Sequence, residues 1–162
     1  LPQPVIARVH GPAFAAGCQL VAQCDLAVAV TDARFATSGV NYGIFCSTPG
    51  VPLARNISRK RAMEMLLTGE PIGAATALAW GLASEIVPDD RLMPRALELA
   101  RRIAQNAPTA VQAVKQLADA AAGEGITTTL ESLAAGFAAG TDDAREGVAA
   151  FRAKRPPKFT GK

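Results

Sequence analysis

Two short apolar runs, separated by a stretch with room for only two helical turns, constrain this chain more than any other feature. Val5-Ile6-Ala7-Arg8-Val9 is rich in β-branched residues and Leu26-Ala27-Val28-Ala29-Val30 is apolar throughout, so both read as strands. A continuous apolar strand suits a sheet covered on both faces. Residues 16–23 between them read as a short helix, entered through Gly11-Pro12 and a run of small residues. Strand, turn, helix, strand is a βαβ crossover, which makes the two strands parallel neighbours.

Downstream the composition changes. Ser38-Gly39, Tyr42-Gly43 and Ser47-Thr48-Pro49-Gly50 read as loop and turn. Ser58 is the expected N-cap of a helix over 59–67 that ends at Thr68-Gly69, and residues 73–80 make a short helix stopped by Gly81. Ser84-Glu85-Ile86-Val87 is a brief strand. Residues 91–105 place Leu92, Ala96, Leu99, Ala100 and Ile103 at helical spacing. Pro108 opens another helix through residue 122. After a loop at 123–125, helices are expected over 128–139 and 144–154, the last capped by Asp142 or Asp143. The chain thus divides into an α/β part, 1–87, and a helical part, 88–162. It opens without Met and runs at once into a strand, as a chain beginning inside a larger domain would.

Composition removes several function classes. No apolar stretch approaches the roughly 20 residues of a membrane-spanning helix, and the opening residues lack the basic-then-apolar pattern of a signal peptide. Cys18, Cys24 and Cys46 are odd in number and lack C-x-x-C spacing, so neither a disulfide framework nor a zinc site is expected, and a reducing compartment is. His10 is the only histidine, and no G-x-S-x-G elbow accompanies it, which argues against a Ser-His-Asp triad. No G-x-G-x-x-G or Walker loop offers a nucleotide cofactor a seat. The net charge is +3, with Arg152, Lys154, Arg155, Lys158 and Lys162 crowded at the end. Aromatics do not alternate with these cations, so a solvated tail or a phosphate contact suits them better than nucleic acid.

The segment richest in chemistry is His10-Gly11-Pro12-Ala13-Phe14-Ala15-Ala16-Gly17-Cys18-Gln19-Leu20, a small-residue turn opening into a helix. A helix N-terminus carries unpaired N–H groups and the positive end of the macrodipole, so it can hold an anion or a developing oxyanion. The same small residues equally let a helix pack tightly on a strand. Local physics leaves both readings open.

Those residues, followed by Cys24-Asp25, resemble the oxyanion-hole motif of the enoyl-CoA hydratase/isomerase (crotonase-like) family. Further matches follow in order: Ala33-Arg34-Phe35-Ala36, Pro49-Gly50, the segment from Ala62 to Ile72, Ala75 to Leu82, Asp142-Asp143-Ala144-Arg145-Glu146-Gly147, and Phe151-Arg152-Ala153-Lys154-Arg155. Within the family the chain is most similar to the enoyl-CoA hydratase domain-containing proteins that lack both catalytic glutamates, and it resembles the later part of the domain.

The resemblance implies an α/β fold, a partial crotonase-like ββα spiral followed by a C-terminal helical trimerisation region. It also implies a homotrimer or dimer of trimers, lyase or isomerase chemistry on acyl-CoA thioesters of fatty acid metabolism, and no cofactor beyond the coenzyme A of the substrate. The expected location is the cytoplasm in a bacterium and the mitochondrion in a eukaryote. One oxyanion donor maps onto the main-chain N–H of Ala16, with Gly17 beside it; such a donor is worth on the order of 10²- to 10³-fold in rate.

The two carboxylates that handle water and the α-proton map onto Gln19 and Gly39. Gln19 cannot accept a proton at neutral pH and Gly39 has no side chain. An acyl-CoA binder that stabilises a thioester enolate is therefore the expected function, with a non-catalytic binding or regulatory subunit as the alternative. Phe151 and Lys154 map onto contacts with the adenine and phosphate end of CoA, where i, i+3 spacing on one helix gives them a common face. Asp25 resembles a structural position. Asn41, Tyr42 and Cys46, on the loop after Gly39, either face the acyl group or serve packing and turns.

Overall fold

Parallel pairing of the two apolar runs is the centre of the molecule. A computed structural model describes residues 1–44, 46–122 and 140–160. Strand β1 (Ile6–Val9) lies parallel to β3 (Leu26–Val30) in the register Ile6 to Leu26 through Val9 to Ala29. Helix α1 (Ala16–Gln23) makes the crossover. β6 (Glu85–Val87) adds to the other edge of β3, also in parallel. The expected βαβ unit is therefore present.

A second, smaller sheet was not legible in the sequence. β2 (Pro12–Phe14) pairs in parallel with β4 (Arg34–Ala36), and the two-residue β5 (Ile72–Gly73) joins β4 antiparallel. Three-residue strands are too short to show a period, and Gly11-Pro12 reads as a turn. Two further segments expected to be loop are helical. Ser38–Tyr42 forms a 3-10 turn, and α2 spans Ser47–Asn56, beginning on the Ser-Thr-Pro-Gly run itself. Pro49 sits in the first turn of α2, where its missing N–H has no helical partner to lose. Pro52 forfeits one bond, but Pro49, Pro52 and Leu53 are buried in a helix packed on α1. Asn56 Nδ2 donates to Ala22 O at 2.7 Å and Pro52 O at 2.8 Å, tying α2 to the end of α1.

Helices α3 (Arg59–Thr68), α4 (Ala74–Trp80), α5 (Asp89–Ala104) and α6 (Pro108–Ala121) follow the apolar spacing, with α5 starting two residues earlier than expected. Gly69 and Gly81 end α3 and α4 at φ of 67° and 90°. Among the described residues, Phe35, Leu53, Met65, Leu92, Val28 and Val30 are the large apolar side chains fully out of water. Burial of each contributes about 1.5–3 kcal/mol. The expected loop at 123–125 and helix at 128–139 lie outside the described residues.

The last described helix, α7 (Asp142–Arg152), is capped by Thr141 rather than by an aspartate: Thr141 Oγ1 accepts the Ala144 N–H at 3.1 Å. Asp142 and Asp143 instead occupy the first turn, where they face the positive end of the helix dipole. α7 ends at Arg152, so Lys154 is not on the helix with Phe151 as expected. Lys154 adopts φ 52°, its N–H donates to Phe151 O at 3.2 Å, and Arg155 N–H donates to Ala150 O at 3.0 Å. This is a Schellman closure with a lysine where glycine is commonest.

The residues after the helix fold back onto it. Glu146 accepts from both Arg155 Nη atoms at 2.6 and 2.8 Å and from Lys158 N–H at 2.9 Å, while Asp143 Oδ1 accepts Thr160 N–H at 2.7 Å. The Arg155 hydrogen bonds hold the Glu146 carboxyl down at about 2. A carboxyl depressed in the folded state contributes stability above its unfolded pKa and loses it as pH falls towards the folded value. The latch is thus expected intact above about pH 4.5 and released between there and about pH 2. Thermal unfolding of wild type and Glu146→Gln across that window checks it: the difference between them should shrink to nothing at the acid end, and a constant difference counts against the latch.

Candidate functional site

β2 and β4 leave their sheet side by side, and the connections that follow them meet. Ala15 N–H donates to Ala36 O at 2.9 Å, closing the end of the pair. Ala15 itself has φ 48° and ψ −115°, a conformation that L-residues with a Cβ avoid. Such strain costs on the order of 1–3 kcal/mol and is held in place by the surrounding structure. It turns the chain so that Ala16 becomes the first residue of α1. Ala16 is exposed and its N–H has no hydrogen-bond partner among the described residues; the ladder begins with Gln19 N–H to Ala15 O at 3.0 Å. Gly17 is half-buried, and a Cβ there would meet nothing within 4 Å.

Gln19 lies one turn beyond Ala16, half-buried, its side-chain amide without a partner among the described residues. Three residues past Ala36 comes Gly39, buried in the 3-10 turn. Its N–H donates to Cys46 Sγ at 3.1 Å. A Cβ on Gly39 would lie 2.9 Å from that sulfur, 3.0 Å from Cys46 N and 3.1 Å from Ile44 O. The space a side chain at 39 would need is therefore filled by the Cys46 thiol, which no sequence signal announced.

Burial pushes the Cys46 thiol upward, offset in part by the Gly39 N–H, and pushes Cys18 on the inner face of α1 up to about 12. At both thiols burial disfavours the thiolate, the nucleophilic form. Asp25 is committed elsewhere: Oδ2 accepts Val5 N–H at 2.6 Å and Lys115 Nζ at 2.7 Å, pinning the starts of β1 and β3 to α6.

Helix α7 caps the other side of the 3-10 turn. Ala144, Gly147 and Ala150 form its buried stripe, and Gly147 sits so close that a Cβ would fall inside the carbonyl group of Tyr42. Tyr42 and Phe151 meet edge to face, with ring centroids 5.2 Å apart. Phe151 is still 64% exposed. Lys154 is exposed just beyond it. The arrangement thus brings Ala16, Gly17 and Gln19 together on α1, and Gly39 and Phe151 together through Tyr42. A cleft of about 960 Å³ lies elsewhere, beneath α6, lined by Leu26, Pro52, Val111, Val114, Lys115 and Ala118 among others.

Among known proteins, the enoyl-CoA hydratase/isomerase family model matches residues 1–162. Enoyl-CoA hydratase domain-containing protein 3, mitochondrial, is 47% identical in Xenopus laevis and 48% in Homo sapiens, covering 99% and 98% of this chain and 55% and 53% of those proteins. The chain therefore spans about half the length of the curated relatives it matches. A carnitinyl-CoA hydratase structure from Mycobacterium avium superposes with a TM-score of 0.90 at 37% identity, covering 100% of this chain and 64% of the other.

Proposed function

The chain belongs to the enoyl-CoA hydratase/isomerase family, and on that premise we propose that it binds acyl-CoA thioesters and stabilises the thioester enolate through the Ala16 N–H. The observation that carries this reading is the Ala16 N–H at the start of α1, on an exposed residue beside the strained Ala15 and without a partner among the described residues. A developing oxyanion there would gain a fixed dipole that needs no reorganisation. The exposed ring of Phe151 and the nearby Lys154 supply a plane and a cation for the adenine and phosphate end of CoA. No cofactor beyond that CoA enters the proposal.

Among the described residues, Gln19 and the sealed Gly39 offer the α-proton and the attacking water no base at the two expected positions. General acid–base groups contribute typically about 10²- to 10⁴-fold each, so hydration of crotonyl-CoA should be reduced by at least that range. The same two positions favour the second reading, a CoA-thioester binding subunit without turnover. A homotrimer or dimer of trimers remains part of the proposal: α6 buries none of its residues within one chain, and Val114 and Leu117 are 68% and 71% exposed. In a eukaryote the proposed location is mitochondrial, following the printed names of the vertebrate relatives.

Calorimetric titration with acetyl-CoA tests the reading. Saturable one-to-one binding, weakened about tenfold or more in Phe151→Ala, is the expected result. Absence of heat at millimolar ligand by folded protein overturns it.

A further inference from the structure

On the acyl-CoA reading, we propose that Thr37 is a positioning residue: its hydroxyl fastens the 3-10 turn to the last turn of α3 and thereby holds the stretches of chain from which the site is built. Among the described residues Thr37 alone combines a polar side chain with full burial, at 0% exposure. A buried hydroxyl without a partner is costly, and a valine of nearly the same shape would fill the space with no hydroxyl to satisfy. The hydroxyl instead has a directed role. Thr37 Oγ1 donates to Met65 O at 2.9 Å, and the same carbonyl accepts Gly69 N–H at 3.0 Å where α3 stops. A carbonyl oxygen has two lone pairs, so both bonds are made together and the start of the turn is tied to the end of α3. At the far side of the turn the Asn41 amide lies over Gly69, so close that a Cβ there would stand 2.6 Å from its Nδ2. The turn therefore clasps the end of α3, from the core side by buried Thr37 and from the solvent side by exposed Asn41.

What the clasp holds is the site. Thr37 follows Ala36, whose carbonyl accepts the Ala15 N–H at 2.9 Å next to the proposed donor. It precedes Ser38-Gly39, and Gly39 N–H donates to Cys46 Sγ at 3.1 Å. Tyr42 ends the turn and meets Phe151, the proposed adenine contact, at 5.2 Å between ring centroids. Apolar packing is non-directional and leaves the turn free to shift along α3. A hydrogen bond weakens steeply with angle, so it fixes the orientation as well as the distance. Without the hydroxyl the core stays packed, while the turn loosens together with Ala36 and Tyr42 at its two ends.

The test compares Thr37→Val, which keeps the shape without the hydroxyl, with Thr37→Ser, which keeps the hydroxyl, in the intact protein. Amide exchange and calorimetric titration with acetyl-CoA are read on each. In Thr37→Val the amides of Gly39, Gly43 and Ile44 are expected to exchange about fivefold faster, the change that one net hydrogen bond supplies, while β1 and β3 keep wild-type protection. Acetyl-CoA affinity is expected to fall by about the same factor, and Thr37→Ser to restore both. Should Thr37→Val fail to fold, Asn41→Ala at the exposed end decides: the same amides exchange faster, or the clasp is overturned. Unchanged exchange in the turn of Thr37→Val, equal acceleration across β1 and β3, or a serine variant no better than the valine variant overturns the proposal. Faster exchange in the turn with wild-type acetyl-CoA affinity overturns it too, because the clasp would then serve stability alone. Wild-type protein that binds no acetyl-CoA overturns the acyl-CoA reading and the positioning role with it, whereas the other outcomes leave that reading standing.

Discussion

Gly147→Ala is expected to undock α7 from the 3-10 turn. The added methyl has nowhere to go: it would occupy the carbonyl group of Tyr42 and press on Gly43 N, which is main chain rather than a side chain that can swing aside. Overpacking in a well-filled site typically costs about 1–3 kcal/mol, and a backbone obstacle places this change at or above the top of that range. Lifting α7 also parts Phe151 from Tyr42 and, with it, the proposed adenine contact from the turn that carries Gly39. Thermal unfolding should show the loss, and amide exchange should show α7 unprotected while β1 and β3 stay protected. Acetyl-CoA affinity should fall along with α7 protection. Wild-type protection across Ala144 and Ala150 in the variant would mean that α7 does not rest on Tyr42.

The second large effect concerns restoring carboxylates. Gln19→Glu with Gly39→Glu is expected to fail as a gain of hydratase activity, because the new side chain at 39 meets Cys46 Sγ, Cys46 N and Ile44 O at 2.9–3.1 Å. The double variant should lose about 1–3 kcal/mol of stability. Adding Cys46→Ala removes the sulfur and leaves two contacts that need only a few tenths of an ångström of movement. The triple variant should therefore regain much of the stability and show crotonyl-CoA hydration raised by about 10²-fold or more over wild type. Hydration appearing in the double variant with Cys46 intact would show that the space at 39 is open after all.

What was legible before the fold was known follows from the range of the interaction involved. The β1–β3 pair and α1 could be read because their signal is local: apolar runs of the right length with one short helix between them. Helices α3, α4 and α5 were legible for the same reason, through apolar spacing on α5 and through the stops at Gly69 and Gly81. α2 was not, since Ser47-Thr48-Pro49-Gly50 carries every mark of a turn, and only burial of Pro49, Pro52 and Leu53 against α1 makes it a helix. Lys154 was placed on α7 because a lysine gives no warning of a left-handed residue. Ala144, Gly147 and Ala150, spaced three apart, were a readable hint of close approach, but their partner Tyr42 lies about a hundred positions away.

The candidate site divides along the same line. The residue types at 16, 17, 19 and 39 are properties of the sequence. Two facts belong to the tertiary structure alone: that Ala15, bonded to Ala36 O and held at a positive φ, leaves Ala16 exposed at the start of α1, and that Cys46 closes the space beside Gly39. Local propensity acts over a few residues and is written in them. Whether a donor faces water or a cavity is filled depends on which distant segments share the core, and that is decided only when the chain packs.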